Sequence, residues 1–224
     1  MLKLHIANKN YSSWSLRPWV LMTQLGIPFE ETLNQFTEDS NFKAFSPTGL
    51  VPCLVDGDTV VWESLAIVEY LAEQYPQVWP SDKDARAWAR SATSEMHANF
   101  SALRNECPMS IGIRIKLHTM TPALEKDVAR INELWGQGLD KFGGPFLAGS
   151  EFTAVDAFYT PVCFRAQSFG LALSPEAEAY KTHILNLPSM QDWYEAGLKE
   201  TFRDVPHEDE ILALGQLTAD LRAR

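Results

Sequence analysis

With 224 residues, the chain has room for one large domain or two smaller ones, and its 46% hydrophobic and 21% charged residues are ordinary for a globular protein. The formal net charge of −10 argues against nucleic-acid binding, because a phosphate backbone requires clustered Lys and Arg. The apolar runs are too short to cross a membrane and the N-terminus lacks a signal-peptide pattern, so we expect a cytoplasmic protein without membrane binding.

The first 76 residues alternate between strand and helix patterns. Leu2, Leu4 and Ile6 alternate with polar residues and predict a strand. A helix with one apolar face follows and ends at Gly26, a typical C-cap residue. The sequence DGD at 56–58 is typical of a hairpin turn. We predict the order strand, helix, strand, hairpin, helix, with strands at 2–7, 28–35, 53–55 and 60–62 and a second helix that opens at Ser64.

The remainder has helical periodicity. Pro76 and Pro80 mark a linker, and apolar residues then recur at intervals of three and four. The apolar stripes that result cover residues 88–107, 124–142, about 154–169 and about 189–199. Pro108 ends the first of them. The predicted organisation is an α/β domain at 1–76, a linker at 77–86 and an all-helical domain at 87–224.

Cysteine and histidine give no indication of metal or disulfide chemistry. The cysteines are widely spaced and form no CxxC pair, which disfavours a disulfide framework, a zinc site and a dithiol centre. The histidines show no helical metal-binding spacing. The sequence therefore predicts no metal site.

Three motifs carry a family resemblance: SPTGLVPCL at 46–54, ESLAI at 63–67 and TAVD at 153–156. Together with the predicted layout, they resemble the cytosolic glutathione transferases over essentially the whole chain, to about residue 200. The resemblance implies a thioredoxin-like domain followed by an all-helical domain, with glutathione as co-substrate. It also implies that the Val51-Pro52 bond is cis and that the Val51 backbone binds the cysteinyl part of glutathione.

The other two motifs combine a helix start with a polar function. Glu63 suits the ammonium of the γ-glutamyl group, and Ser64 with the free N–H groups of the helix start suits its carboxylate. The simpler explanation is that Ser64 is only an N-cap, and the two roles are compatible because a cap that faces a ligand serves both. Thr153 and Asp156 form a capping box, to which we assign a role in folding.

The segment NKNYSSWSLRPW at 8–19 contains a serine cluster between the first strand and helix. Alone, the cluster is explained by helix capping or by anion binding. In the family, this turn holds the group that binds the glutathione sulfur. SSWSLR resembles the SSCSxR signature of the zeta class, the maleylacetoacetate isomerases, which places Ser12 at the catalytic serine, Ser13 beside it and Arg17 at the signature arginine. Tyr11 is the competing donor.

The chain departs from the zeta pattern at several positions. Trp14 replaces the zeta cysteine, and it either lines the electrophile pocket or packs in the core. Ser168 occupies the position at which the zeta class has a substrate-binding arginine. Arg165, one turn earlier, could point the same way, although we expect a surface salt bridge there. Gly49 replaces a basic residue, for which Lys43 could compensate at the glycine end of glutathione.

The resemblance implies a glutathione transferase that activates the thiol for attack on a small electrophile. The electrophile pocket is expected around 109–118 and the C-terminal tail, with Met109, Trp14 and Arg165 as candidates. The alternatives are a zeta-like cis-trans isomerase and a non-catalytic binding protein with the transferase fold. The resemblance also implies a homodimer.

Overall fold

The computed structural model describes residues 1–37 and 40–223. The elements of its first part are β1 Leu2–Ala7, α1 Ser13–Gln24, β2 Phe29–Asn34, β3 Cys53–Asp56, β4 Thr59–Trp62 and α2 Ser64–Ala72. The predicted order of elements is confirmed. The strands form a sheet in the order β2-β1-β3-β4, with β1 parallel to β2 and antiparallel to β3, and α1 and α2 pack against it.

The strand register brings the three motif segments of this domain together. His5 of β1 lies opposite Cys53 of β3, which in turn lies opposite Trp62 of β4. Because both pairs are antiparallel, the ends of β1 and β4 and the beginning of β3 share one end of the sheet. The turn at residues 8–13, which we call the serine turn, lies at that end together with Pro52 and Glu63.

The second part is helical, as expected, with a small sheet added to it. The helices pack around α6 (Ala154–Phe169), in which 15 of the 16 residues are buried. None of the helices among the described residues is long and apolar enough to cross a membrane. The bounds are α3 Lys83–Ala98, α4 Ser101–Glu106, β5 Ile113–Leu117, α5 Pro122–Phe142, α6 Ala154–Phe169, α7 Pro175–Leu185, α8 Pro188–Lys199, α9 Val205–Leu214 and β6 Gly215–Asp220.

Two features of this part differ from the expectation that everything beyond the linker is helical. β5 and β6 form an antiparallel pair, so the C-terminal tail returns to the segment that follows α4. The stripe over 88–107 is two helices, because Phe100 adopts a left-handed conformation with φ of 61° between α3 and α4. Phe100, Leu103 and Cys107 are nevertheless buried, so the apolar spacing continues through the break.

The start of α6 confirms the predicted capping box. Asp156 accepts the backbone N–H of Thr153 at 3.0 Å, and Thr153 caps the N3 position in return. The same carboxyl group accepts the Leu147 N–H at 2.9 Å and the Tyr180 hydroxyl at 3.0 Å. Burial raises the pKa of Asp156 to about 6. This carboxyl group thus joins the start of α6 to α7 and to the loop before α6.

Candidate functional site

A cavity of about 640 Å³ lies at the end of the sheet from which the motif segments extend. Its wall includes residues from both parts of the chain, among them most of the site residues chosen from sequence. Those present in the wall are Tyr11, Ser12, Ser13, Trp14, Val51, Pro52, Glu63, Met109 and Arg165. Size and lining fit a small-molecule site.

The serine turn is fixed by contacts with α8. Trp193 donates its indole N–H to the Lys9 carbonyl at 2.9 Å, and the Lys9 backbone N–H donates to Glu200 at 2.8 Å. The Lys9 ammonium forms a salt bridge with Glu31 at 2.8 Å. The chain that enters α1 is therefore held from both sides, which gives the serines a defined position.

Ser12 and Ser13 are both buried in the cavity wall but have different partners. Ser12 is the N-cap of α1 and accepts the Ser15 N–H at 3.4 Å. Its hydroxyl donates to the Ser15 hydroxyl at 2.7 Å. Ser13 Oγ accepts from the Arg165 guanidinium at 3.4 Å. Both sequence explanations of the cluster, capping and presentation of a hydroxyl to a cavity, therefore fit this turn.

Tyr11 lines the same cavity, but its hydroxyl is engaged by the C-terminal tail. It donates to Glu208 of α9 at 2.6 Å, and Arg222 donates to it at 3.3 Å. Burial and the hydrogen bond to Glu208 raise the pKa of Tyr11 far above its usual value. Burial alone would raise the pKa of Glu208, but hydrogen bonds from Arg222 and Tyr11 outweigh it and lower that pKa.

Glu63 stands at the N-cap of α2 with φ of 68°, a conformation uncommon for a residue with a side chain. No side chain caps α2 at this end. Such a helix start presents free N–H groups to an anion. Ser64 lies one residue further on and is fully buried beneath the wall, where Arg17 Nη1 lies 3.5 Å from its hydroxyl oxygen.

The Val51-Pro52 peptide bond is cis, as the sequence motif predicts. Both residues line the cavity next to the serine turn. Lys43 does not belong to the wall: it is exposed, and its aliphatic stem lies against Gly49. Its contribution to the glycine end of glutathione stays a prediction.

Trp14 is half-buried in the wall and stacks with two guanidinium groups. The Arg17 Cζ lies 4.1 Å and the Arg104 Cζ 4.7 Å from its ring centroid. Arg17 is fully buried, and burial together with the charges of Arg104 and Arg165 lowers its pKa. Trp14 thus fulfils both alternatives, since it lines the cavity and packs against buried neighbours.

The expectation of a surface salt bridge for Arg165 is wrong. The residue is 5% exposed, and its guanidinium donates to the carbonyls of Arg104 and Cys107 and to Ser13. These carbonyls lie at the end of α4, where backbone acceptors lack helical partners. Ser168, at the position of the zeta arginine, instead donates to the Ser110 carbonyl at 2.7 Å.

Comparison with known proteins identifies the family. Models described as Glutathione S-transferase, N-terminal domain and C-terminal domain match residues 11–74 and 86–196. The chain belongs to the glutathione S-transferase family. Glutathione S-transferase Z2 of Arabidopsis thaliana is 32% identical over 169 residues, which cover 68% of this chain and 74% of that protein. A zeta-class glutathione S-transferase of Euphorbia esula is 27% identical over 168 residues, 71% of this chain and 74% of its own.

Solved structures agree on the fold. A glutathione transferase homolog from Burkholderia GL BGR1, solved with bound glutathione, superposes with a TM-score of 0.68 at 21% identity and covers 88% of this chain and 97% of its own. The predicted resemblance to the transferases, and to the zeta class in particular, is confirmed. The chain is a glutathione transferase enzyme. Among residues 1–37 and 40–223, no group of three or more His, Cys, Asp or Glu side chains is placed to hold a metal ion.

Several residues of this transferase's cavity were not found from sequence. Arg104 and Asn105 come from α4, and Asp204, His207 and Glu210 come from the tail. His207 bonds to the Met109 carbonyl at 3.1 Å and packs edge-on against Tyr11. No local motif marks these positions. The expectation that the C-terminal tail contributes to the electrophile pocket covers Asp204, His207 and Glu210, but not Arg104 and Asn105.

Proposed function

We propose that this glutathione transferase binds glutathione across the end of the sheet, with the thiol at the serine turn and the γ-glutamyl group at Glu63. The observation that carries the proposal is the single cavity whose wall joins Ser12, Ser13, Val51 and Glu63. These residues come from three separate segments, and the strand register explains why they meet.

The γ-glutamyl group is a zwitterion, and the start of α2 offers a partner to each of its charges. The Glu63 carboxylate faces the cavity and pairs with the ammonium. The uncapped N–H groups of α2 receive the carboxylate, with the Ser64 hydroxyl nearby. Arg17, behind Ser64, adds positive charge on the carboxylate side.

The serine turn then supplies the donor that stabilises the thiolate. A free thiol has a pKa near 8.5, so only a few per cent is ionised at neutral pH. Lowering the pKa of the glutathione thiol by about 2 requires about 2.7 kcal/mol of preferential stabilisation of the thiolate. One hydroxyl donor and the N-terminus of α1 are sufficient for this. The resemblance of SSWSLR to the zeta signature names Ser12 as the donor. Tyr11 is disfavoured because its hydroxyl already donates to Glu208.

The reaction is attack by this thiolate on a small electrophile. The thiol proton passes to solvent, and a sulfur lone pair forms the new carbon–sulfur bond. In a substitution the leaving group departs with the electron pair of its bond; in an addition that pair moves to the epoxide oxygen or into the conjugated carbonyl, and a solvent proton completes the product. We assign the electrophile to the part of the cavity that lies on the far side of the serine turn. Its wall there includes Trp14, Met109, Arg165 and His207.

A zeta-like cis-trans isomerisation is the second candidate. The identity to zeta-class relatives and a guanidinium in the cavity wall at Arg165 favour it. In that reaction, glutathione adds to a double bond of an unsaturated diacid, the resulting single bond rotates, and glutathione leaves. Trp14 in place of the zeta cysteine and Ser168 in place of the arginine argue against it.

We further propose a homodimer in the cytoplasm. Dimerisation is expected from the family. The three cysteine thiols are free and individually buried, which suits a reducing compartment.

Calorimetric titration with glutathione, followed by turnover assays, tests the function. We expect saturable binding of glutathione, conjugation of at least one electrophile from a panel of aryl halides, epoxides and unsaturated carbonyls, and weak or no isomerisation of a cis-unsaturated diacid. Isomerisation faster than any conjugation would favour the zeta-like reaction. Binding without turnover of either kind would favour the non-catalytic alternative, and absence of glutathione binding would refute the proposal.

A further inference from the structure

We propose that Ser13 is the catalytic residue that donates a hydrogen bond to the glutathione thiolate, and that Arg165 is a positioning residue which orients the Ser13 hydroxyl for that task. This assignment rests on the proposed function, because it names one donor within the turn that receives the thiol. It departs from the family pattern, which favours Ser12.

The hydrogen bonds of Ser12 leave its hydroxyl proton committed inside the protein. The Ser12 hydroxyl donates at 2.7 Å to Ser15, a fully buried residue whose hydroxyl oxygen also accepts the Ala7 N–H at 3.2 Å. Ser12 Oγ accepts in turn from the Ser15 N–H at 3.4 Å. A hydroxyl has one proton, and in this arrangement Ser12 uses it inside the protein; donation to a thiolate would require the bond to Ser15 to break or to reverse, with Ser15 as its donor. Ser12 is thus suited to cap α1.

Ser13 has the complementary arrangement. Its oxygen accepts from Arg165 Nη2 at 3.4 Å, and among the described residues its hydroxyl donates to no acceptor. Because Arg is only a donor, this contact occupies a lone pair of Ser13 and leaves the hydroxyl proton for another partner. Ser13 lines the cavity, so that partner is a cavity ligand. A contact of 3.4 Å has room to tighten when an anion arrives.

Arg165 brings a positive charge that no carboxylate neutralises within the described ranges. Its recorded partners are two backbone carbonyls and Ser13. Burial and the charge of Arg104 lower the pKa of Arg165 to about 10, so it remains protonated at neutral pH. A cation that touches the oxygen of a hydroxyl strengthens that hydroxyl as a donor to an anion.

The other charges around the cavity do not supply the same effect. Arg17 lies behind Trp14 and Ser64, and Arg104 donates to the carbonyls of Met96, His97 and Asn99 at the end of α3. Arg165 is therefore the described guanidinium that contacts a serine hydroxyl of this turn and the cavity wall, whereas Arg222 contacts the Tyr11 hydroxyl at 3.3 Å and is paired with Glu208 and Asp220. The remaining titratable groups of the wall are Tyr11, Glu63, Asp204, His207 and Glu210.

The first test is the pKa of the bound thiol, measured by the ultraviolet absorbance of the thiolate in a pH titration of the full-length protein with glutathione. Ser13→Ala should raise this pKa by about 1 to 2, the effect of one lost bond to a charged group. Turnover at pH 7 should fall by about 10- to 100-fold and recover at alkaline pH, where the thiol ionises without help. Affinity for S-methylglutathione, which has no thiol proton, should change little.

Ser12→Ala tests the competing donor. It should lower the melting temperature through loss of the cap while the pKa of the bound thiol stays near the wild-type value. A raised pKa in Ser12→Ala together with an unchanged pKa in Ser13→Ala would overturn the assignment and place the donor at Ser12, with Ser15 behind it. A wild-type protein that does not bind glutathione, or does not lower its thiol pKa, would instead refute the proposed function.

The second test isolates the role of Arg165. Arg165→Gln should raise the pKa of the bound thiol, and the rise should be much smaller when Ser13 is already Ala, because Arg165 acts through that hydroxyl. Arg104→Gln removes a charge from the same wall without a serine contact and should have a smaller effect. Additive effects in the double variant, or equal effects of the two arginine changes, would refute the positioning role. If Arg165→Gln does not fold, the comparison of Ser13→Ala with Ser12→Ala still decides the donor.

Discussion

Tyr11→Phe separates a structural tyrosine from a catalytic one. The change removes the 2.6 Å bond from the Tyr11 hydroxyl to Glu208 and leaves the aromatic ring in place. A bond to a charged acceptor contributes about 1.5–3 kcal/mol, and the lower end applies because Arg222 still pairs with Glu208. For a chain of this length, about 1.5 kcal/mol lowers the melting temperature by roughly 3–6 °C.

Denaturant unfolding and thiolate titration of the same variant give the two readouts. We expect lower stability, while turnover and the pKa of bound glutathione stay near wild-type values because the serine turn is intact. Tyr70→Phe is a matched control, because it also removes a hydrogen bond from a tyrosine hydroxyl to a carboxylate. That bond joins Tyr70 to Asp56 at 2.9 Å, and neither residue lines the cavity. A loss of about 10²-fold in turnover, the size expected for one missing donor to the reacting anion, would make Tyr11 the catalytic donor and refute our reading of the turn.

Three further predictions follow from the site and the fold. Glu63→Ala should weaken glutathione binding by about 1.5–3 kcal/mol in calorimetry. Ser64→Ala should weaken it by less, because Ser64 is fully buried beneath the wall. Glu69→Ala, at a half-buried residue of the same helix that pairs with Arg90 outside the cavity, should not weaken it; unchanged affinity in both site variants would remove the γ-glutamyl assignment. Because burial raises the pKa of Asp156 from 3.8 to about 6, the folded state holds this proton more tightly, so the contribution of Asp156 to stability is complete below pH 3.8 and is lost as pH rises through about 6. The unfolding free energy of wild type minus that of Asp156→Asn should therefore fall by up to about 3 kcal/mol over this range, and a rise would contradict the assigned shift. Sedimentation should give a dimer at micromolar concentration, and a monomer would contradict the homodimer.

The parts of the site that could be predicted from sequence are the ones encoded in short segments. Val51-Pro52 and Glu63 stand at fixed distances from a hairpin whose turn is recognisable, so the sequence indicated both their identity and their neighbourhood. The capping box of α6 is likewise local, with Thr153 and Asp156 three positions apart.

Features that depend on distant partners could not be predicted. The contact between Tyr11 and Glu208 joins residues 197 positions apart, and β5 pairs with a tail strand about a hundred residues later. Periodicity reports only which residues face the core. For this reason the break at Phe100 went undetected, and Arg165 resembled a surface cation although α4 covers it.

A crystal structure of the complex with glutathione locates the sulfur and the γ-glutamyl group directly. We expect the sulfur within about 3.5 Å of Ser13 Oγ, the γ-glutamyl ammonium at Glu63 and the cysteinyl backbone paired with Val51. Sulfur bound to Ser12 Oγ or to the Tyr11 hydroxyl, or glutathione bound outside the cavity between the serine turn and Glu63, would contradict this expectation.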